Sequence, residues 1–312
     1  MNKAPSAPAN VYYGGQAVLE GVMIRGPRHM AVAVRHPSGH IVTHSEELAG
    51  IYTGKSRTIP MLRGVIVLGE TMALGLRALN FSSRVAFDEN DDGETAEFPS
   101  TVFWGTMAIA VLFVVGLFFA APILIANLLS LWDVNRVFIV LAEGGIRLGL
   151  FVGYIAAISR IPDIRRVFQY HGAEHMTIHA YEAGSPLTVE SVRPFPKEHT
   201  RCGTSFLLVV VVVALLTFFI FDVAVDRGLI VRTLSRIVFI PLVAGVSYEI
   251  LRIGARFGEN PFVKAMFAPN LALQALTTNV PDDGQIEVAI ASFQAVVAAT
   301  NGDAVPAEVE LD

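Results

Sequence analysis

The chain of 312 residues has little of what marks disulfide-bonded, nucleic-acid-binding or secreted proteins. Its single cysteine, Cys202, excludes an intramolecular disulfide and fits a reducing, cytoplasm-facing environment. Only 16% of the residues are charged, the formal net charge is -5, and no basic block occurs, so nucleic acid is not expected as a partner. The first residues, MNKAPSAPANVYYGG, lack the apolar segment of a signal peptide, which predicts that no leader is cleaved.

Long apolar runs are what the sequence has instead. Hydrophobic residues make up 53% of the chain, and the mean hydropathy of +0.53 is too high for an ordinary soluble protein. A helix needs roughly 20 apolar residues to cross a bilayer, because it rises about 1.5 Å per residue. We therefore predict a membrane α-helical bundle of about four transmembrane helices, within residues 98–132, 137–158, 203–221 and 237–253.

Two of these predicted spans carry features that interrupt or charge a membrane helix. Pro122 predicts a kink or the start of an interfacial piece within the first span. The fourth span is marginal, because Pro241 lies near its start and Glu249 and Arg252 lie near its end.

The distribution of basic residues predicts the orientation of the bundle. With the N-terminus inside, 18 of the 23 lysines and arginines fall on cytoplasmic parts of the chain, and SRIPDIRR follows the second span directly. Cytoplasmic loops are enriched in lysine and arginine, so both termini are predicted to be cytoplasmic. The segment between the second and third spans is then cytoplasmic as well.

The N-terminal part predicts a small cytoplasmic α/β module. Residues 29–47 alternate apolar and polar side chains on both sides of PSG, as in a β-hairpin. Residues 59–84 predict a helix that either is buried against other helices or lies in the membrane interface with a polar stripe toward water. Its four charges are spaced by seven residues and form this one narrow stripe: Arg63, Glu70, Arg77 and Arg84.

A soluble amphipathic helix is predicted to begin near Asp282 or Asp283 and to belong to the same cytoplasmic module. The predicted division of the chain is a glycine-rich hairpin module (1–58), an interfacial helix with an acidic linker (59–97), transmembrane helices (98–162), a cytoplasmic histidine-rich interfacial helix and loop (163–202), further transmembrane helices (203–254), and a C-terminal helix and tail (255–312).

Residues 169–182, QYHGAEHMTIHAYE, are the strongest candidate for chemistry. On a helix, the three histidines and Glu182 share a face about 80° wide, and Glu174 flanks it. Two histidines one turn apart can bind one metal ion, and H-x-x-E-H matches an inverted zinc-protease pattern in which the glutamate acts as base. We predict a site for Zn²⁺ or another divalent metal ion, with Glu174 as the catalytic residue and these metal ligands: His171, His175, His179, His199 and Cys202.

A simpler interpretation stays open for the same segment. The histidines and glutamates could form the wet face of an amphipathic helix that lies on the membrane and bonds to lipid headgroups or protein carbonyls. In that case no metal ion is needed.

Two further sets of polar residues are functional candidates. The glycine-rich string YYGGQAVLEGVMIRGP predicts either a turn-rich start to the hairpin module or a polar pocket of Gln16, Glu20 and Arg25. Its glycines, among them the candidates Gly14 and Gly15, predict tight backbone turns or the close approach of another chain or ligand. Within the spans, the sequence pairs Glu143 with Arg147 and Glu249 with Arg252, as structural ion pairs or as parts of an ion path.

Several of these strings together resemble the YqhQ-like family of bacterial multi-pass membrane proteins. They are GGQAVLEGVMIRGP, RGVIVLGE, FQYHGAEHMTIHAYE, HTRCGTSFL, YEILR and LQALTT, and the resemblance covers about residues 12–295. It implies the bacterial inner membrane and the family's label of predicted metal-dependent enzyme. The family's motif positions fall on Gly14, Gly15, Gln16, Glu20, Gly21, Arg25, His171, Glu174, His175, His179, Glu182, His199, Arg201, Cys202, Tyr248 and Glu249.

Three functions follow as hypotheses. The first is a metal-dependent hydrolase that acts on a lipid headgroup or a peptide at the cytoplasmic membrane surface. The second is a non-enzymatic membrane factor that helps to assemble membrane complexes such as the translocon, which predicts a membrane protein partner. The third is an ion or solute transporter. Membrane lipids are expected as partners in each case, and the glycine-rich surface also makes a homo-oligomer a hypothesis.

Overall fold

The computed structural model of the protein describes residues 13–87, 100–199, 203–225, 229–257, 260–305 and 308–309. This part of the chain is mostly helical and contains one antiparallel sheet. The strands are β1 Gly14–Val18, β2 Gly21–Arg25, β3 His29–Arg35, β4 Ile41–Glu47 and β5 Glu308–Val309. The helices are α1 Gly50–Thr53, α2 Leu62–Ala86, α3 Ser100–Val115, α4 Ala121–Asn127, α5 Arg136–Ile158, α6 Pro162–Glu182, α7 Val189–Val192, α8 Gly203–Ala224, α9 Leu229–Val238, α10 Ile240–Arg256, α11 Pro261–Thr277 and α12 Asp283–Asn301.

The predicted hairpin is confirmed as β3 and β4, which belong to a larger sheet with the strand order β1-β2-β3-β4-β5. The glycine-rich string before it does not form the expected turn-rich start, because it makes the antiparallel pair β1 and β2. Gly21 explains part of this glycine content. A Cβ atom there would lie 2.4 Å from the carbonyl oxygen of Ala33 on the neighbouring strand.

Both faces of this sheet are covered. Val22 and Ile24 face a core shared with α6 and α12, whereas Met23 and Val32 face a core shared with α2. Strands that are buried on both faces read as continuous apolar runs. This is why GVMIR and HMAVAVR are almost entirely hydrophobic.

Helix α12 begins where the sequence predicts, because Asp282 caps it and exchanges hydrogen bonds with Gln285 in a capping box. It is not a half-exposed amphipathic helix, however. It packs between the sheet and α6, and residues on several sides of it are buried, among them Ile286, Ala289 and Phe293. Small residues such as alanine on its surface allow this close packing between two layers.

The polar stripe of α2 is buried against protein only in its first half, because Glu70 is covered whereas Arg77 and Arg84 are exposed. Glu70 is 3% exposed and forms an ion pair of 2.9 Å with Arg25 of β2. Arg77 binds Glu46 of β4 at 2.8 Å. At the start of the helix, Arg63 binds Glu249 of α10. These pairs fasten α2 to the sheet at one end and to α10 at the other.

Three of the described helical segments are long and apolar enough to cross a membrane: Trp104–Trp132, Arg136–Ile158 and Phe206–Ala224. They lie within or overlap the first three predicted spans. The fourth predicted span corresponds to a helix pair, Val231–Val238 and Ile240–Gly254, that is bent by 46°. Pro241 lies in the first turn after the break, where its missing amide hydrogen costs no helical hydrogen bond.

The first of these segments changes helix type around Pro122. Residues Gly116–Ala120 form a π-helical turn between α3 and α4. Proline has no amide hydrogen for the carbonyl four residues earlier, which belongs to Phe118. The Nε–H of Arg147 on α5 donates to this carbonyl at 2.9 Å. A polar side chain of a neighbouring helix therefore satisfies a backbone oxygen exposed by the proline.

A network of charged side chains connects α5, α8 and α9. Glu143 forms the predicted pair with Arg147 at 2.7 Å and also binds Arg236 at 2.9 Å. Asp222 of α8 binds Arg236 and lies 3.2 Å from Arg232. The second predicted pair is wrong, since Glu249 binds Arg63 and not Arg252. The partner lies on α2, which sequence spacing along one helix does not reveal.

Candidate metal centre

Helix α6 carries the histidine segment into the interior of the protein. It begins at Pro162, ends at Glu182 and packs against β1, β2 and α12, so that residues 170–178 are all buried. The helix itself is confirmed. The interpretation of its histidine side as a water-facing surface is wrong, because His171, Glu174 and His175 are only 9%, 3% and 1% exposed. The bonds to protein carbonyls that the same interpretation expected are present on all three histidines of the helix.

An inner group of possible ligands consists of His171, Glu174 and His175, whose ligand atoms lie within 4.8 Å of one another. The Nδ1–H of His171 donates to the carbonyl oxygen of Thr277 at 2.8 Å, and that of His175 donates to the carbonyl oxygen of Lys197 at 2.6 Å. A neutral imidazole that donates through Nδ1 keeps its lone pair on Nε2. Metal-binding histidines are commonly oriented by such a bond on the second nitrogen.

Glu174 is held in this group by the glycine-rich strand β1. The backbone N–H of Gly15 donates to its carboxylate, and a Cβ atom on Gly15 would lie 3.0 Å from the Glu174 side chain. Burial raises the pKa of Glu174 to about 7, although His171 and the bond from Gly15 both act to lower it. Its Oε2 atom is buried and has no hydrogen-bond partner among the described residues.

An outer group consists of His179, Glu182 and His199, whose ligand atoms also lie within 4.8 Å of one another. The ring of His179 donates through Nε2 to the carbonyl oxygen of Glu198 at 2.9 Å, and Nε2 of His199 lies 3.6 Å from the Glu182 carboxylate. The side chain of Glu182 is 33% exposed, so this group reaches the protein surface.

The position of His199 differs from the expectation that it completes a site with His171 and His175. It joins His179 and Glu182 instead, although its ring centroid is only 5.6 Å from that of His175. Eight residues separate His171 from His179, or about 12 Å along a helix axis, so one ion with bonds of about 2 Å cannot bind both. The predicted ligand Cys202 lies outside the described residues, as does the motif residue Arg201.

The segment that carries His199 is clamped between α6 and α11. The side-chain amide of Gln274 on α11 accepts from the backbone N–H of His199 at 3.0 Å and donates to its carbonyl oxygen at 2.8 Å. Lys197 donates to the carbonyl oxygen of Thr278 at 3.0 Å. These contacts bring the loop before α8 beside the histidines.

Sequence reasoning missed Thr277, Lys197 and Gln274, which orient the histidines or their loop. The first two act through backbone carbonyls, which leave no pattern in the side chains. One residue in the sequence did indicate a close neighbour of α6, namely Gly172, a glycine in the middle of a predicted helix. A Cβ atom there would lie 2.2 Å from the carbonyl oxygen of Asn279, so glycine allows the end of α11 to approach α6.

The three side chains of the predicted pocket do not converge on one site, because Gln16 and Arg25 contact α2 whereas Glu20 contacts α6. Gln16 donates to the backbone of Thr71, and Arg25 binds Glu70. Glu20 lies in the turn between β1 and β2, where it binds Arg166 and Tyr170 of α6. Each residue joins the sheet to a helix.

The two adjacent glycines at the start of the same string, Gly14 and Gly15, differ from each other. A Cβ atom on Gly14 would meet no atom within 4 Å, whereas one on Gly15 would collide with Met23 and Glu174. Only Gly15 is required by the packing around the inner group.

Fold and site together define a mostly helical protein with several candidate membrane helices and two groups of possible metal ligands. The family model described as "Protein of unknown function (DUF1385)" matches residues 59–299. The chain is 37% identical over 309 residues to "Uncharacterized protein YqhQ" of Bacillus subtilis (strain 168), with 94% of this chain and 93% of that protein covered. The chain therefore belongs to the DUF1385 family, which confirms the YqhQ-like resemblance. No solved structure matches it.

Proposed function

We propose that this chain is a multi-pass protein of the bacterial inner membrane that binds a divalent metal ion in its soluble module, which consists of the sheet together with α6 and α12. The observation that carries the proposal is the orientation of His171 and His175, whose Nδ1 atoms are both bound to backbone carbonyls. One ligand atom from each ring and one from the Glu174 carboxylate lie within 4.8 Å of one another, and this carboxylate has a buried oxygen. Two imidazoles and a carboxylate are a known protein ligand set for zinc, and Zn²⁺ is the ion we expect.

The metal content of the purified full-length protein tests this proposal. We expect about one zinc ion per chain by elemental analysis in the wild type, and loss of that ion in the double variant His171→Ala, His175→Ala. His44→Ala is the matched control, because His44 lies on β4 against Phe81, away from both groups. Metal-free wild-type protein, or a double variant that retains the same ion, would refute the inner site.

A metal-dependent hydrolase is the second candidate, and the pKa of Glu174 favours it. A general base works best when its pKa is near the operating pH, and that of Glu174 is raised to about 7. Bound zinc would supply activation of water. In this reaction Glu174 accepts a proton from water, and the substrate is a lipid headgroup or a peptide at the membrane surface.

The variant Glu174→Gln separates the two roles of this residue. A catalytic base predicts that the variant keeps its metal ion and loses hydrolysis in an assay of phospholipid and peptide substrates. A ligand role predicts that the metal ion itself binds more weakly. Hydrolysis that is equal in the wild type and the variant would exclude the base.

The alternative of a non-enzymatic assembly factor is favoured by the burial of the inner group. Structural metal sites are closed, whereas catalytic sites keep an open coordination position. Here all three ligands lie on α6, and a bound ion would fix the two imidazoles whose hydrogen bonds join α6 to Thr277 of α11 and to Lys197. This function predicts a membrane protein partner that crosslinks to the wild type and is lost when the metal ligands are removed.

A further inference from the structure

A cavity of about 330 Å³ lies beside the last two turns of α10, outside both groups of possible metal ligands. Its lining consists of three arginines, one glutamate and one isoleucine: Arg63, Arg252, Arg256, Glu249 and Ile253. Glu249 is already engaged, since it accepts from Arg63 at 2.7 Å and from the backbone N–H of Met61 at 3.1 Å. Among the described residues, no carboxylate forms an ion pair with Arg252 or Arg256. The cavity therefore has an excess of positive charge.

The cavity lies at the end of the helical bundle that also carries the soluble module. Arg136 at the start of α5 donates to the backbone of Val225 just after α8, and Arg236 of α9 binds Asp222 near the end of α8. One end of the bundle is thereby defined by these contacts. The opposite end contains the last turn of α5, from which α6 continues, and the last turn of α10.

Apolar side chains surround the charged lining. Ile253 and Phe257 are 57% and 52% exposed, and Leu62, next to Arg63, is 44% exposed. The candidate span ends at Gly254, between these groups. Exposed apolar side chains beside arginines at a helix end are the arrangement found at the boundary between acyl chains and lipid headgroups.

We propose that this cavity binds the phosphate group of an anionic phospholipid. The guanidinium groups of Arg252 and Arg256 bind the phosphate oxygens, because arginine offers paired donors that match phosphate geometry. The acyl chains lie against Ile253 and Phe257. The bound lipid thus sits where Arg63 fastens α2, and with it the sheet, to α10. The proposal depends on insertion in the membrane and does not depend on metal binding.

Native mass spectrometry of the delipidated full-length protein in nonionic detergent tests the proposal. We expect phosphatidylglycerol to bind more tightly than phosphatidylcholine, which has no net charge. In the double variant Arg252→Gln, Arg256→Gln, phosphatidylglycerol should bind roughly 30-fold more weakly, as expected for the loss of two basic residues at a membrane surface. Arg160→Gln is the matched control, since it removes an arginine just after α5 at the same end of the bundle.

Three results would overturn the proposal. They are equal binding of both lipids by the wild type, an unchanged preference in the double variant, and the same loss in Arg160→Gln. Competition with inorganic phosphate at constant ionic strength distinguishes the source of the anion, because tight binding of phosphate without lipid would assign the cavity to a free anion. Thermal unfolding of each variant separates lost binding from lost folding. The charge-conserving double variant Arg252→Lys, Arg256→Lys is a further control and should retain the preference for phosphatidylglycerol. Chelated protein should bind lipid as before, so failure of the metal proposal leaves this result unaffected.

Discussion

At the scale of single residues, the inner group depends on a close approach between β1 and α6. Gly15 has no side chain, so its backbone N–H can reach the carboxylate of Glu174. The adjacent Gly14 has open space around it. This difference between neighbouring glycines gives a direct test of whether β1 positions Glu174.

Substitution of Gly15 by alanine is expected to destabilise the protein by about 1–3 kcal/mol, as overpacking of a filled interior does. It should also lower the zinc content, because the added Cβ atom displaces Glu174. Gly14→Ala is the matched control and should change neither property. Thermal unfolding and elemental analysis of the two variants provide the measurement. Equal behaviour of the two would show that the contact between Gly15 and Glu174 has no structural importance.

The raised pKa of Glu174 predicts an effect of pH on the metal-free protein. Between its ordinary pKa of 4.5 and its folded value of about 7, the folded chain holds a proton that the unfolded chain releases. This contribution therefore favours folding at low pH and is lost as the pH rises through about 7. Between pH 5.5 and pH 8, Glu174→Gln should gain about 2 kcal/mol of unfolding free energy relative to the wild type.

The comparison with the wild type at each pH removes every contribution to the free energy of unfolding that the two proteins share. Chelated protein is required, because a metal ion binds the deprotonated carboxylate and shifts its titration. A stability difference that does not change over this pH range would show that Glu174 is already ionised at pH 5.5.

At the scale of whole elements, helix positions follow from local apolar runs, whereas ion pairs between helices do not. The helix predicted around Glu143 and Arg147 is confirmed as α5, whose sequence is mostly apolar on both sides of these two residues. Their further contacts with Arg236 and with the carbonyl of Phe118 come from other helices. The charged residues of α2 show the same limit of sequence reasoning. Their seven-residue spacing fits a helix face in water as well as a helix face that forms ion pairs with other elements.

Arg147→Met tests whether the charged network holds the helices together. The change removes the ion pair with Glu143 and leaves the Phe118 carbonyl without the guanidinium donor. We expect a loss of about 3 kcal/mol, the usual result of breaking a buried ion pair. Thermal unfolding in detergent is the measurement, and Arg160→Met is the control. Unchanged stability would show that this network does not hold the helices together.

At the scale of the whole molecule, the arrangement of the helices places the soluble module at one end of the bundle, opposite the connection between α4 and α5. With the predicted orientation, Asp133 in that connection lies outside the cell and Asp303 after α12 lies inside. In a Cys202→Ser background, a membrane-impermeant maleimide should label Asp133→Cys in right-side-out vesicles. It should label Asp303→Cys only after permeabilisation. The reverse pattern would invert the topology.

The local sequence pattern was sufficient to predict the hairpin, the apolar helices and the histidine helix. Side-chain periodicity and turn residues determine such elements within a few neighbouring positions. The start of α12 near Asp282 or Asp283 was predicted for the same reason. Burial of α6 and α12 required the fold, since each is covered by elements more than a hundred residues away in sequence.

The division of the histidines was also decided by tertiary structure. Helical spacing indicates that His171, His175 and His179 share one face, but not which ring approaches which partner. Backbone carbonyls of Thr277 and Lys197 orient two rings, and Gln274 directs His199 toward the third. Because these contacts join segments distant in sequence and use backbone atoms, they exist only once α11 and the loop before α8 pack against α6.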